Sequence, residues 1–226
     1  LESVHRMNGW NTRIYHLGSC SIGYVMYKVE ETPECKRKVD SVMSSINQYS
    51  KKGDIIWFAS LRMLRYIDQW GTLPDHPIEL IDTTKFDQNL IEGFNEMYSL
   101  INNLEKQGYR IMIDRPKPVF KSPPFRCSDF FNKFNPICKD GTKVDKDEFL
   151  LTSTKVNNSI SELQVLFPNL IVWDPSLILC PQSKCSAFDG NKPLYFDGDH
   201  LSKYGNSILV DNFSHVIHDA ISNGVN

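Results

Sequence analysis

Apolar residues follow two patterns that alternate along this chain of 226 residues. Short continuous apolar runs at residues 54–60 (DIIWFAS), 109–114 (YRIMID) and 169–174 (NLIVWD) predict strands that are fully buried. Residues 12–19 (TRIYHLGS) are also strand-like and end at a glycine. The prolines of the next segment, residues 115–124, exclude both a helix and a central strand there.

Between these runs, apolar residues recur at helical spacing. The first predicted helix places five residues on one face: Val39, Val42, Met43, Ile46 and Tyr49. The second has a longer apolar stripe: Phe86, Leu90, Phe94, Met97, Ile101 and Leu104. Thr84 is its predicted cap and Gly108 its predicted end. Further helices are predicted over residues 144–167 and 202–221, the last capped by Ser202.

Strands and helices that alternate in this way predict an α/β fold, with a mainly parallel sheet covered by helices on both faces. The chain shows no internal repeat, no low-complexity linker and no change of composition along its length. We therefore expect residues 1–226 to form a single domain.

Composition and charge exclude several classes of protein. The formal charge of −2 gives no electrostatic argument for a nucleic-acid partner. No run of about 18 apolar residues is present to span a bilayer. The chain begins at Leu1 without an initiator methionine or a signal peptide, so we expect it to be a portion of a longer protein.

The six cysteines form three pairs that are close in sequence: Cys20 with Cys35, Cys127 with Cys138, and Cys180 with Cys185. Each pair lies in or beside a segment rich in polar residues or proline, where the chain can turn back. Free thiols in a cytosolic protein are the alternative. Most of these cysteines lie outside apolar faces, however, which favours disulfides and an oxidising compartment. The spacing does not match that of a zinc site.

Residues 195–209 (YFDGDHLSKYGNSIL) contain the most specific chemical pattern in the chain. The D-x-x-H spacing lets the carboxylate of Asp197 bind one nitrogen of His200, which leaves the other nitrogen free to act as a base. Asp199 is expected to point elsewhere. Two alternatives remain open: a polar turn that only caps the next helix, and a metal site built from Asp197, Asp199 and His200.

The same segment resembles the last conserved block of SGNH hydrolase-fold domains, which reads Y-x-D-x-x-H-L-S-x-x-G. The matching residues are Tyr195, Asp197, His200, Leu201, Ser202 and Gly205. The chain is most similar to the SGNH domains fused behind the membrane-embedded acyltransferase-3 domain of bacterial O-acetyltransferases. The order of strands and cysteine pairs extends this resemblance over essentially the whole chain.

The resemblance implies a three-layer α/β/α, flavodoxin-like fold and acyl transfer, of acetyl in particular, to hydroxyls of a cell-surface polysaccharide. It implies His200 as the general base and Asp197 as the residue that orients it, with no cofactor and no metal. It also implies an acyltransferase-3 membrane domain in the same polypeptide and a periplasmic location, tethered to the inner membrane through an upstream domain. A module that binds glycan or acts as a scaffold without catalysis is the alternative function.

The family places its nucleophilic serine in a GDS turn, and this sequence contains no such turn. One interpretation is that the first strand and the serine lie upstream of Leu1. A second is that residues 17–21 (LGSCS) supply the nucleophile, although a disulfide explains Cys20 better. A third is a degenerate, non-catalytic domain. The family's oxyanion-hole motif is likewise not evident, and Ser60 or Arg62 stands near its expected position.

Overall fold

The computed structural model describes residues 9–17, 20, 33–59, 83–132 and 134–222. Its helices are α1 (Pro33–Tyr49), α2 (Thr83–Lys106), α3 (Pro124–Cys127), α4 (Pro136–Gly141), α5 (Lys146–Leu166), α6 (Ser176–Leu179) and α7 (Lys203–Ser222), with one 3₁₀ helix at Phe130–Asn132. Its strands are β1 (Ile55–Phe58), β2 (Arg110–Asp114), β3 (Lys143–Asp145), β4 (Ile171–Trp173), β5 (Lys184–Ser186), β6 (Phe188–Asp189) and β7 (Lys192–Pro193).

The three predicted central strands form one parallel sheet in the order β1, β2, β4. Ile56 lies opposite Ile111, and Ile113 lies opposite Val172. Two small antiparallel pairs, β3 with β5 and β6 with β7, lie outside this sheet. An α/β fold with a mainly parallel central sheet is therefore confirmed.

Residues of β2 alternate between two buried clusters, as the two-residue period of a strand requires. Ile111 and Ile113 pack in one cluster with apolar residues of α2 and α5, among them Ile101 and Ile160. Met112 packs in the other with apolar residues of β4 and α7, including Phe213. Helices therefore pack on both faces of the described sheet.

The predicted helical stripe of α2 is confirmed where its side chains are described. Met97, Ile101 and Leu104 are fully buried. Gly108, with φ of +92°, ends the helix in the left-handed conformation that glycine adopts at low cost. The helix begins at Thr83, so the prediction that Thr84 is its cap was wrong.

Two further predictions need correction. Residues 12–17 form no strand, since a strand needs a neighbour for its backbone hydrogen bonds and the described chain supplies none there. Tyr15 nevertheless packs against the core, while Ile14 is exposed. Strand β1 was expected to be fully buried, but only Phe58 is buried, because β1 is at the edge of the described sheet.

All three predicted cysteine pairs are disulfides: Cys20–Cys35, Cys127–Cys138 and Cys180–Cys185. Their sequence separations of 15, 11 and 5 residues mean that each closes a short local loop. Disulfides of this kind form and persist outside the reducing cytosol, which fits an extracytoplasmic domain. In the described ranges, no helix combines the length and the apolar character that a membrane crossing requires.

Candidate active site

The Asp197–His200 segment lies at the tip of a short hairpin that precedes α7. Tyr195 and Leu201 form an antiparallel bridge. Inside this bridge, the backbone N–H of Phe196 donates to the carbonyl of His200 at 2.7 Å. The hairpin ends at Ser202, whose hydroxyl accepts a hydrogen bond from the backbone N–H of Gly205 at 2.9 Å. Ser202 therefore caps α7 as predicted, a contact usually worth about 1 kcal/mol.

The carboxylate of Asp197 fixes both the turn and the histidine ring. Its Oδ1 accepts the backbone N–H of Asp199 at 3.0 Å and that of His200 at 2.7 Å, which is an Asx turn. Its Oδ2 lies 2.9 Å from Nδ1 of His200. The contact expected from the D-x-x-H spacing is therefore present. With the Nδ1 proton donated to the carboxylate, the lone pair of the neutral imidazole lies on Nε2.

The loop after β2 holds this turn in place. The backbone N–H of Phe120 donates to the carbonyl of Gly198 at 2.8 Å. A Cβ at Gly198 would collide with the carbonyl oxygen of Phe120, so only glycine allows this close approach. The ring of Phe120 also packs edge-on against the fully buried ring of Tyr195, with centroids 4.9 Å apart. The hairpin is thus fixed at the carboxyl end of the central strand, where α/β folds place their sites.

A buried ion pair that the sequence analysis missed anchors the same loop. Lys117 Nζ lies 2.7 Å from Asp114 Oδ2, and both side chains are almost completely buried. Next to them, Arg115 donates from its guanidinium to Asn157, Ser161 and Gln164 of α5. The Arg115 contacts join the end of β2 to α5, and the ion pair connects residues 114 and 117 at the start of the loop that contains Phe120. In the sequence, Asp114, Arg115 and Lys117 lie at or just after the end of a buried strand. That pattern does not show whether two of these charges pair inside the protein or remain in solvent.

Asp199 was expected to point away from the histidine, and this was wrong. Its Oδ1 lies 3.4 Å from Nδ1 of His200, and its side chain is 7% exposed. The reason is the Asx turn, which curls residues 197–200 so tightly that both carboxylates lie on the Nδ1 side of the ring. His200 therefore faces two acidic side chains at one nitrogen.

The pKa of Asp197 reflects opposing effects. Partial burial alone would raise the pKa of Asp197. The backbone N–H groups of His200 and Asp199, the Asp199 side chain and the charge of His200 outweigh that effect and hold the pKa below its usual value. The carboxylate is therefore ionised at neutral pH and available to the histidine.

This shift predicts how the stability of the fold depends on pH. The pKa of Asp197 is lower in the folded chain than its ordinary value of 3.8. The ionised group therefore stabilises the fold above that value, and its contribution is lost as the pH falls through the folded pKa. Between neutral pH and about pH 2, the wild-type chain should lose more unfolding free energy than Asp197→Asn. Urea unfolding at both pH values measures this, and an equal loss in the two chains would contradict it.

Asp197, Asp199 and His200 have the spacing of metal ligands, and they are the one such group found in the described ranges. One ligand atom each from Asp197, Asp199 and His200 lie within 4.8 Å of one another. The hydrogen bonds favour a different role for these atoms, however, which is to orient the imidazole of His200. Oδ1 of Asp197 accepts two backbone N–H groups, and Oδ2 faces Nδ1 of His200. The geometry is that of a carboxylate that orients an imidazole.

Several residues that the sequence suggested have other roles in the structure or lie outside the described residues. Cys20 is bonded to Cys35 and therefore is not a free nucleophile. The rings of Trp57 and Trp173 pack on each other and on Phe213 in the core. The positions outside the described residues are Ser19, Ser21, Ser60 and Arg62.

A known family model matches most of this chain, including the candidate site. The family model described as the SGNH domain (fused to AT3 domains) matches residues 1–215. The chain belongs to this family. Neither the comparison with curated proteins nor that with solved structures found a match.

Membership assigns this SGNH domain to a family of hydrolase, esterase and acyltransferase type. The family description also connects it with an acyltransferase-3 domain. The Asp197–His200 hairpin lies within the matched residues. The roles of the two residues in catalysis remain a prediction.

Proposed function

We propose that this SGNH domain transfers an acyl group, specifically acetyl, to hydroxyls of a cell-surface polysaccharide. His200 is the general base and Asp197 the residue that orients it. The observation that carries this proposal is the 2.9 Å contact between Oδ2 of Asp197 and Nδ1 of His200. It leaves Nε2 with a lone pair on a ring that is 41% exposed.

The chemistry proceeds in two steps that this pair would serve. In the first, Nε2 of His200 removes the proton of a serine hydroxyl as its oxygen bonds to the acyl carbon. The bond from that carbon to the donor's leaving atom then breaks, and His200 returns the proton to the leaving group. In the second, His200 takes the proton of a sugar hydroxyl or a water as that oxygen attacks the acyl-serine, and it gives the proton to the serine oxygen as the acyl–serine bond breaks. Asp197 stabilises the imidazolium in both steps.

The serine itself is proposed to lie in a turn upstream of Leu1, together with the first strand of a single three-layer, flavodoxin-like domain. Cys20 does not replace it, because that sulfur is in a disulfide. The family's fusion to AT3 domains supports a membrane acyltransferase-3 domain in the same polypeptide. The three disulfides support an oxidising location, for which we propose the periplasm with the domain tethered to the inner membrane.

A serine-directed fluorophosphonate probe tests this proposal on a chain extended upstream of Leu1. We expect covalent labelling of the extended chain and strongly slower labelling of its His200→Ala variant, because the base activates the attacked oxygen. A variant at His215, which is exposed on α7, is the matched control and should label like the parent. If the extended chain binds polysaccharide but is not labelled, the domain is a glycan-binding module and the proposal fails.

A further inference from the structure

The loop closed by Cys127–Cys138 presents an unusual number of exposed aromatic side chains. Phe130, Phe131 and Phe134 are 74%, 92% and 80% exposed. Phe125 and Phe196 are also more than half exposed, and their ring centroids lie 5.0 Å apart. We call these five residues the phenylalanine patch. Folded domains rarely leave large apolar side chains together in water unless a partner covers them.

The exposure is built into the fold. The disulfide closes the loop, and Nδ2 of Asn132 donates to the carbonyl of Arg126 at 3.0 Å. The hydroxyl of Ser128 donates to the carbonyl of Phe125 at 2.7 Å. The first of these hydrogen bonds joins the 3₁₀ helix to α3 and the second closes the end of α3, so they hold the backbone that carries the rings. Keeping the rings in water costs free energy that only a covering surface recovers.

The charges of residues 121–140, as distinct from Asp197 and Asp199 beyond Phe196, favour an anionic surface. Residues 121–140 contain four basic residues, Lys121, Arg126, Lys133 and Lys139, against the acidic Asp129 and Asp140. This segment is therefore net positive in a chain whose formal charge is −2. Aromatic and aliphatic side chains flanked by Lys and Arg are typical of segments that lie in the interface of a bilayer with anionic headgroups.

We propose that the phenylalanine patch docks on the surface of an anionic phospholipid bilayer. The phenyl rings enter the boundary between headgroups and acyl chains, and the flanking basic side chains contact lipid phosphates. The family's fusion to AT3 domains supports a membrane beside this domain, in line with the tethering proposed above. The docking does not depend on the proposed acyl transfer.

The geometry favours a membrane over a glycan. Phe130 and Phe131 meet edge to face, with an interplanar angle of 80°, so this pair forms no continuous flat platform for a sugar ring, whereas Phe125 and Phe196 are tilted by 31°. Phenylalanine also lacks a polar atom that could bind sugar hydroxyls. A second copy of the chain is disfavoured if its net positive residues 121–140 would face those of the first copy.

The position of the patch has a consequence for the candidate active site. Phe196 is adjacent to Asp197, and the backbone N–H of Phe125 donates to the Phe196 carbonyl at 3.1 Å. A bilayer that covers the patch would therefore hold the Asp197–His200 hairpin at the membrane surface.

Sedimentation with vesicles tests the docking. The 226-residue chain is mixed with vesicles of equimolar phosphatidylglycerol and phosphatidylcholine, or of phosphatidylcholine alone. We expect binding to the anionic vesicles and a partition coefficient at least about 10-fold lower for Phe130→Ser/Phe131→Ser/Phe134→Ser. A charge variant, Arg126→Gln/Lys139→Gln, should weaken anionic binding by about 10-fold as well.

Matched control variants test whether binding depends on the phenylalanine patch or on exposed apolar and basic residues in general. Leu151, Val165 and Leu177 are 66%, 79% and 68% exposed on α5 and α6, so their triple serine variant removes comparable apolar surface elsewhere. Lys36→Gln/Arg37→Gln on α1 removes two positive charges away from the patch. Both controls should partition like the parent chain, and thermal unfolding verifies that every variant is folded.

Each remaining outcome would overturn the proposal. These outcomes are no binding to either vesicle, or binding that the patch variants leave unchanged. Saturable binding to polysaccharide that is lost in the phenylalanine variant would assign the patch to a glycan. A dimer in sedimentation velocity that the same variant dissolves would assign it to a second copy of the chain.

Discussion

His200→Ala is expected to lower kcat/KM for ester cleavage by about three to four orders of magnitude, by analogy with other catalytic triads. The substitution removes the base that takes the proton from the attacking hydroxyl, while the hairpin keeps its backbone hydrogen bonds. Asp197→Asn should cause a loss of similar order, because an amide donor at Oδ2 would favour the wrong tautomer of the ring. Hydrolysis of p-nitrophenyl acetate by the chain extended upstream of Leu1 measures both effects.

The control for this prediction is His215→Ala, which removes an exposed imidazole from α7. It should leave kcat/KM unchanged, since that ring has no place in the hairpin. Full activity in the His200→Ala variant would show that another group acts as the base, and the proposed function would have to be abandoned. The vesicle experiment is independent of this result, because it needs no active site.

Gly198→Ala is expected to have the largest effect on stability, a loss of about 3 kcal/mol of unfolding free energy. The added methyl would collide with the backbone carbonyl of Phe120, which cannot move aside as a flexible side chain can. The loop after β2 must then shift, or the hydrogen bond from Phe120 to Gly198 must break. Because Gly198 lies between Asp197 and Asp199, the same shift should also lower the activity of the extended chain.

Gly190→Ala is the matched control in urea unfolding. Its Cβ would meet open space, but Gly190 has φ of +58°, so alanine there should cost only about 1 kcal/mol through the backbone alone. It should also leave activity unchanged. If the two alanine variants are equally stable, the close approach of Phe120 to the turn does not hold the hairpin, and the account of how this site is positioned is wrong.

Much of the fold follows from local sequence patterns. The apolar runs over Arg110–Asp114 and Ile171–Trp173 identify strands because buried parallel strands need apolar residues on both faces. The three disulfides are equally local, since each joins cysteines that are near neighbours in sequence. Where the sequence failed, as at residues 12–17, the missing factor was a partner strand, which no local pattern reports.

The candidate site likewise combines features that the sequence predicted with features that it did not. The contact between Asp197 and His200 spans three residues, so the D-x-x-H spacing was sufficient to predict it. The position of Asp199 follows from the Asx turn, whose two backbone hydrogen bonds to Asp197 the D-x-x-H spacing did not predict. The phenylalanine patch was not predicted, because helical or strand-like spacing does not tell an exposed ring from a buried one in a proline-rich, disulfide-closed loop.

The sequence by itself determined the α/β class, the pairing of cysteines and the identity of the Asp197–His200 pair, because these depend on residues close together in the chain. Only the tertiary structure decided which side chains are covered: Asp114 with Lys117 inside the protein, Asp199 beside the imidazole, and the phenylalanine patch in solvent. Burial depends on what distant segments bring to a surface, and the energetic consequences of apolar and charged groups follow from burial.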